Sequence, residues 1–260
     1  MLVTGSACSS APPASVPGPP AVPPPAKPTP LTVLQVRSAA RGKDVELVLV
    51  TPEGVPAAGL PVVLALHGRG ANARVFLDLG LPAALTEAVR SGMPPCVVAA
   101  VDGDHYWVAV DAGDDSQQML NDELPGWLAQ NALRSSPSAA FGISMGGFGA
   151  LRYARDHRDL KAVAVCSAAL FMSWGEAKAR EVFRDEAQWT SHEPLRHADE
   201  LRGMPKGLWC GTEDPFIGAA RKFVQAAKPQ VIKLSAGAHT DKYWKGVVPE
   251  IVNVTGTRAT

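Results

Sequence analysis

From Leu31 onward, short runs of β-branched and small apolar residues alternate with longer stretches that carry apolar residues at helical spacing, and this alternation admits few folds. A strand apolar on both faces must be covered on both, and helices crossing between successive parallel strands supply that cover. Segments 62–66, 96–101, 139–142, 162–166, 207–210 and 230–234 read as such buried strands, and 45–51 alternates as an exposed early strand. Helices are predicted at 81–91, 119–131, 147–155 and 216–227, with Pro or Gly at most boundaries. No internal repeat interrupts the series. Residues 168–204, with Trp174, Trp189 and several charges, break the alternation and read as an irregular insertion over one end of the sheet, where it walls a pocket. The expectation is a single α/β domain over 31–260, its sheet mostly parallel with helices on both faces.

Residues 1–30 are built differently, from Pro, Ala, Ser and Gly with almost no charge. Proline fixes φ and removes backbone donors, so the stretch from Pro12 to Pro30 reads as an extended spacer rather than part of a core. Ahead of it, small residues lead to Cys8 as at the end of a bacterial lipoprotein signal, although the basic region and most of the apolar region of such a signal are missing. The expectation is a lipid on Cys8 tethering an exported protein to the cell envelope, with the true start upstream or trimmed. An ordinary tail with an incidental cysteine, and with it a cytoplasmic location, is the alternative.

Charge and cysteine content narrow the function classes. Lys plus Arg and Asp plus Glu number 25 each, so no net field gathers nucleic acid or anionic lipid. Cys96, Cys166 and Cys210 sit in or beside apolar runs, without CxxC or Cys/His ligand spacing, which argues against a zinc site or a disulfide framework.

The chemistry is carried by Gly142-Ile143-Ser144-Met145-Gly146-Gly147, a G-x-S-x-G match between an apolar strand and a helix. On such a turn the serine takes a strained conformation that exposes its hydroxyl, and the glycines let strand and helix approach closely. A hydroxyl is a weak nucleophile at neutral pH, so a histidine must accept its proton and an acid must orient the histidine. In hydrolases with this elbow the order is Ser, acid, His, on loops after later strands. Asp214 follows one strand in Cys210-Gly211-Thr212-Glu213-Asp214-Pro215, with Glu213 as its competitor, and His239 follows the next. His67, His105, His157, His192 and His197 precede the acid and read as structural or surface residues. The oxyanion that forms on the ester needs two backbone N–H donors. The Met145 amide is one, and the loop His67-Gly68-Arg69-Gly70 offers the other from Arg69, with Gly68 next in line.

Together, His67-Gly68, the elbow, Gly211 to Pro215, His239 and Tyr243-Trp244 resemble the putative-esterase family of α/β-hydrolases, which includes esterase D-like enzymes and antigen 85 mycolyltransferases. The likeness runs from about Leu31 to the end, and Asp122 to Leu128 also resembles antigen 85. The loop Val101 to Trp107 stands where antigen 85 carries trehalose-contacting residues, but its sequence differs, so sugar acceptance is not implied. The resemblance implies a cofactor-free serine esterase using Ser144, His239 and Asp214, acting on a small-molecule or lipid ester; apart from the resemblance, Gly68, Tyr106 and Trp107 read as candidate substrate contacts. Trp174 is a further candidate for the pocket. Two alternatives stand beside it: an acyltransferase that moves an acyl group to a glycan hydroxyl, and a non-catalytic envelope binding protein. The abundance of Ala, Pro and Arg suits a high-GC, actinobacterial origin. Oligomeric state is not legible.

Overall fold

The computed structural model of the chain describes residues 1–2, 30–111 and 113–260. Cys8 and nearly all of the Pro-rich stretch lie outside the described residues. Among the described residues, no helix is long and apolar enough to cross a membrane.

The chain enters through an antiparallel hairpin, β1 (Leu31–Ser38) and β2 (Lys43–Val50). Next come β3 (Val62–Leu66) and β4 (Val97–Val101), paired in parallel and joined by α1 (Val75–Asp78) and α2 (Leu81–Arg90). A small ribbon, β5 (Ala109–Asp111) with β6 (Asp114–Asp115), then α3 (Ser116–Gln118) and α4 (Leu124–Gln130) lead to β7 (Pro137–Ile143). The alternation resumes with α5 (Met145–Asp156), β8 (Ala162–Cys166), β9 (Lys206–Gly211), α8 (Ile217–Ala227), β10 (Val231–Ser235) and α9 (Asp241–Ala259). Between β8 and β9, the expected insertion holds only the short helices α6 (Trp174–Lys178) and α7 (Glu186–His192) and a 3-10 turn.

The main sheet runs β1-β2-β4-β3-β7-β8-β9-β10, parallel from β4 to β10, with β2 antiparallel to both β1 and β4. Alternate residues of β3 feed two cores. Val62, Leu64 and Leu66 join Phe148 and Leu151 of α5 and Phe223 of α8, while Val63 and Ala65 join Leu81 and Leu85 of α2 and Val248 and Ile251 of α9. The three cysteines of the described residues are buried and free, and burial pushes the Cys96 and Cys210 thiols up to about 12, as befits inert core residues.

Four elements depart from the sequence reading. The strand expected to be buried at 230–234 is β10, which is half-exposed because it forms the edge of the sheet, with Ile232 48% exposed. The strand expected to be exposed is β2, and Leu47, Val48, Leu49 and Val50 are buried because the strand lies inside the sheet between β1 and β4, with Leu47 and Leu49 entering one core and Val48 and Val50 the other. The helix expected over 119–131 is divided: a π-helical turn at Met119–Glu123 precedes α4, whose Pro125 has no N–H to continue an α-ladder. Helix α9 was not expected at all, since Val247, Val248, Ile251, Val252 and Thr255 have modest helix propensity and Pro249 lies inside it. It forms because those β-branched side chains, together with Tyr243, make a buried stripe against the sheet. Thr255 satisfies its hydroxyl by donating to the Ile251 carbonyl at 2.8 Å.

Candidate active site

Parallel strands point their carboxyl ends at one edge, so the loops after β3, β4, β7, β8, β9 and β10 all open on the same rim of the sheet. Every residue singled out in the sequence for chemistry lies on one of these loops or at the start of the helix after it.

The turn after β7 bears the tightest constraints. Ser144 has φ 55° and ψ −118°, a conformation side-chain-bearing residues rarely adopt, and it directly precedes α5. The strain is held by close approach of backbones. A Cβ on Gly142 would lie 1.9 Å from the Gly146 carbonyl oxygen, and one on Gly146 would lie 1.8 Å from that of Leu66. The Ser144 amide donates to the Cys166 carbonyl at 2.9 Å, which ties the turn to β8.

His239 Nε2 lies 2.9 Å from Ser144 Oγ, and its Nδ1 lies 2.9 Å from Asp214 Oδ2. The acid loop and the histidine loop are fastened to each other: the Glu213 amide donates to the Gly237 carbonyl at 2.9 Å and the Thr212 amide to Ser235 at 2.8 Å. Glu213 itself is exposed, so the two candidate acids separate cleanly, with only the Asp214 carboxylate reaching the imidazole. The Asp214 side chain is fully buried, which would raise its pKa. Hydrogen bonds from His239 and from the Phe216 amide at 2.9 Å, with the Ser167 side chain acting in the same direction, outweigh burial and hold the carboxyl below its ordinary value. It is therefore ionised at neutral pH and fixes Nδ1 as the protonated nitrogen, leaving Nε2 to accept from Ser144. The imidazole is flanked by Phe216 and Trp244, with ring centroids at 5.4 and 5.0 Å.

The loop after β3 closes on the serine from the other side, where a Cβ on Gly68 would lie 3.4 Å from Ser144 Cβ. His67 holds this loop. Buried, it accepts from the Gly103 amide through Nε2 at 3.0 Å, which makes Nδ1 the donor to the Gly68 carbonyl at 2.8 Å. Burial lowers its pKa, in keeping with a neutral, structural ring. Met145 is the first residue of α5, where helix amides have no partner within the helix, and Arg69 lines the space in front of Ser144.

After β4 the chain makes a left-handed turn, with φ of 53°, 57° and 59° at His105, Tyr106 and Trp107. Each such residue costs about 1–2 kcal/mol. The turn is over-determined by the Asp104 carboxylate, which accepts from the His105 amide at 2.8 Å, and by the Trp107 amide, which donates to the Asp104 carbonyl at 2.8 Å. The outcome separates the two aromatic candidates. Tyr106 lines the cleft, whereas Trp107 is buried behind it against Gly103 and Gly149, so its expected contact with substrate is corrected to a packing role. Trp174 likewise packs toward Trp189 rather than lining the cleft.

These loops enclose a cleft of about 460 Å³ with Gly68, Arg69, Tyr106, Ser144 and His239 on its walls. Sequence reasoning missed Ser167, whose hydroxyl accepts from Trp244 Nε1 at 3.0 Å, and Arg180, which reaches the cleft from the insertion. Ser167 follows β8 at the carboxyl rim, a position that could have flagged it. Arg180 has no such signal. Among the described residues no group of His, Cys, Asp and Glu forms a metal site.

Comparison with known proteins identifies the family and the fold. Residues 38–231 match the model of the family described as "Putative esterase". Among solved structures, a ferulic acid esterase superposes with TM-score 0.74 at 17% identity, covering 89% of this chain and 99% of that one. An S-formylglutathione hydrolase from Agrobacterium tumefaciens gives 0.72 at 16% identity, over 88% and 95%. Mycobacterium tuberculosis MPT51 (FbpC1) gives 0.66 at 21%, over 87% and 99%. At these identities the likeness establishes the α/β-hydrolase fold. No curated protein matches the chain.

Proposed function

The chain belongs to the putative-esterase family of ester-hydrolysing enzymes, and from that premise we propose that it is a serine esterase working through an acyl-enzyme on Ser144. The observation that carries this reading is the continuous relay from Ser144 Oγ through His239 to Asp214, two contacts of 2.9 Å, at a strained turn on the cleft floor.

In this mechanism Ser144 Oγ attacks the ester carbonyl carbon while His239 Nε2 takes its proton, and the ionised Asp214 stabilises the imidazolium. The Met145 and Arg69 amides donate to the oxyanion, each contributing about 2.7–4 kcal/mol to lowering the barrier. Collapse breaks the ester bond, and the departing alcohol takes the proton from His239. A water molecule then gives a proton to His239 and attacks the acyl-enzyme, and the acid leaves as Ser144 is reprotonated. Water is the acceptor in this reading because the His239 side chain is 24% exposed and solvent reaches it.

Intact mass after fluorophosphonate treatment tests the proposal. Wild type gains a single adduct mapping to Ser144, Ser144→Ala gains none, and its kcat on a neutral ester falls by about 10⁴–10⁶. A well-folded wild type that stays unlabelled, or is labelled elsewhere, overturns the reading.

A further inference from the structure

Arg180 has no ion-pair or hydrogen-bond partner for its side chain among the described residues, and yet it stands in the wall of the cleft. Its Nε is buried without a hydrogen bond, and its guanidinium carbon lies 5.5 Å from the Phe171 ring centroid and 5.6 Å from that of Phe216. Phe216 in turn packs against His239, which places this cation one ring away from the reacting atoms. Arg69, which lines the same cleft, is exposed and equally without a charged partner among the described residues. Burial raises the pKa of Tyr106, a third residue lining the cleft, and both guanidinium groups act electrostatically against that rise. The acid of the cleft wall, Asp241, sits exposed at the start of α9 and forms no ion pair with either arginine, so the wall carries a net positive charge.

Surface arginines need no partner, because water solvates them. A guanidinium with a buried Nε and two aromatic neighbours has lost much of that water, and its planar fork matches a carboxylate. We propose that Arg180, assisted by Arg69, binds an anionic oxygen group on the substrate, so that the preferred esters carry a carboxylate or similar anion on the acyl or the alcohol half. The inference rests on the serine-esterase reading for its chemistry and goes beyond it by naming the substrate class.

Two pairs of esters distinguish the halves: 4-nitrophenyl hydrogen glutarate against 4-nitrophenyl hexanoate for the acyl side, and 3-acetoxybenzoate against 3-acetoxybenzamide for the alcohol side. The readout is the ratio of kcat/KM for the anionic over the neutral partner. Arg180→Met is expected to lower that ratio at least about tenfold for one pair, the low end of what a hydrogen bond to a charged group contributes. Arg180→Lys should keep part of it. A purely structural arginine would lower both members of a pair alike and leave both ratios where they stand in wild type, which overturns the proposal. Calorimetry of the same esters with Ser144→Ala and with Ser144→Ala/Arg180→Met reads binding without turnover. Loss of anion preference in the double variant therefore supports the inference, and equal affinity refutes it, even if wild type hydrolyses none of the four esters and the esterase reading falls.

Discussion

The loops that carry Ser144, Asp214 and His239 are fixed by backbone lying on backbone, whereas the insertion that supplies Arg180 is fixed by side chains. On the first side, the carbonyls of Gly146, Leu66 and Gly237 occupy the places where Cβ atoms on Gly142, Gly146 and Gly211 would stand. On the second side, one buried carboxylate gathers the segment: Glu193 accepts from the Phe171 amide, Trp189 Nε1 and the Leu195 amide at 3.0–3.1 Å. Arg196 stacks on Trp189, and Gln188 reaches across to the Ala109 carbonyl. The difference teaches where change is tolerated. Backbone contacts admit no larger side chain, while a wall hung on one polar anchor can change its other residues and remain a wall. One chemistry can thereby serve different substrates.

The sharpest way to break that comparison is Gly146→Ala. The added methyl meets a carbonyl oxygen of β3 that cannot move without the strand, so the variant is expected to lose at least about 3 kcal/mol, the upper end for overpacking. The elbow shifts with it, and kcat/KM falls by at least about 100-fold, as a 1 Å displacement of reacting groups suffices to cause. Gly126→Ala is the control: its Cβ meets nothing within 4 Å inside α4, and the change should be neutral or stabilise by up to about 1 kcal/mol. Urea unfolding and ester turnover measure both. A Gly146→Ala variant as stable and active as wild type would mean that the backbone contacts are not what holds the serine.

The same contrast explains what could be read before the structure. The elbow and the acid each follow a buried apolar strand within a few residues, and the base follows the half-exposed edge strand β10, so period and turn residues sufficed to place Ser144, Asp214 and His239. Separating Tyr106 from Trp107 was out of reach, because three successive left-handed residues reverse the directions that strand alternation implies. Arg180 belongs to a segment without periodicity, and only its lack of partners in three dimensions singles it out. Helix α9 was hidden for another reason: tertiary burial overrides the poor intrinsic propensity of its β-branched stripe.

A smaller effect sharpens the comparison on the insertion side. Burial raises the Glu193 carboxyl from the ordinary 4.5 to about 7, despite its three hydrogen bonds. Between those values the folded chain holds a proton that the unfolded chain has released, so stability falls as pH rises through about 4.5 to 7 and levels off above. The contribution is on the order of 3 kcal/mol. The half-buried His192, whose pKa burial lowers to about 4, adds stability as pH rises over part of the same range, so thermal unfolding from pH 5 to 8 should show the decline as the difference between wild type and Glu193→Gln, whatever that variant's absolute Tm. An identical slope in both would remove Glu193 as the anchor.

The smallest effect lies back at the relay, where one side-chain contact supplements the backbone. Trp244 donates to Ser167 Oγ, and the Ser167 side chain helps hold the Asp214 carboxyl below its ordinary value. Trp244→Phe keeps an aromatic edge on His239 and removes only that donor. A single hydrogen bond contributes about 1 kcal/mol, so kcat should fall roughly fivefold. The loss should appear in kcat rather than KM, since the chain acts on the imidazolium formed in the transition state. Ser167→Ala removes the same link from its other end. If the two residues act in series, the double variant is no slower than Ser167→Ala alone. Additive losses would show instead that Trp244 acts on His239 directly, as a wall of the cleft, and that the acid is oriented by backbone alone.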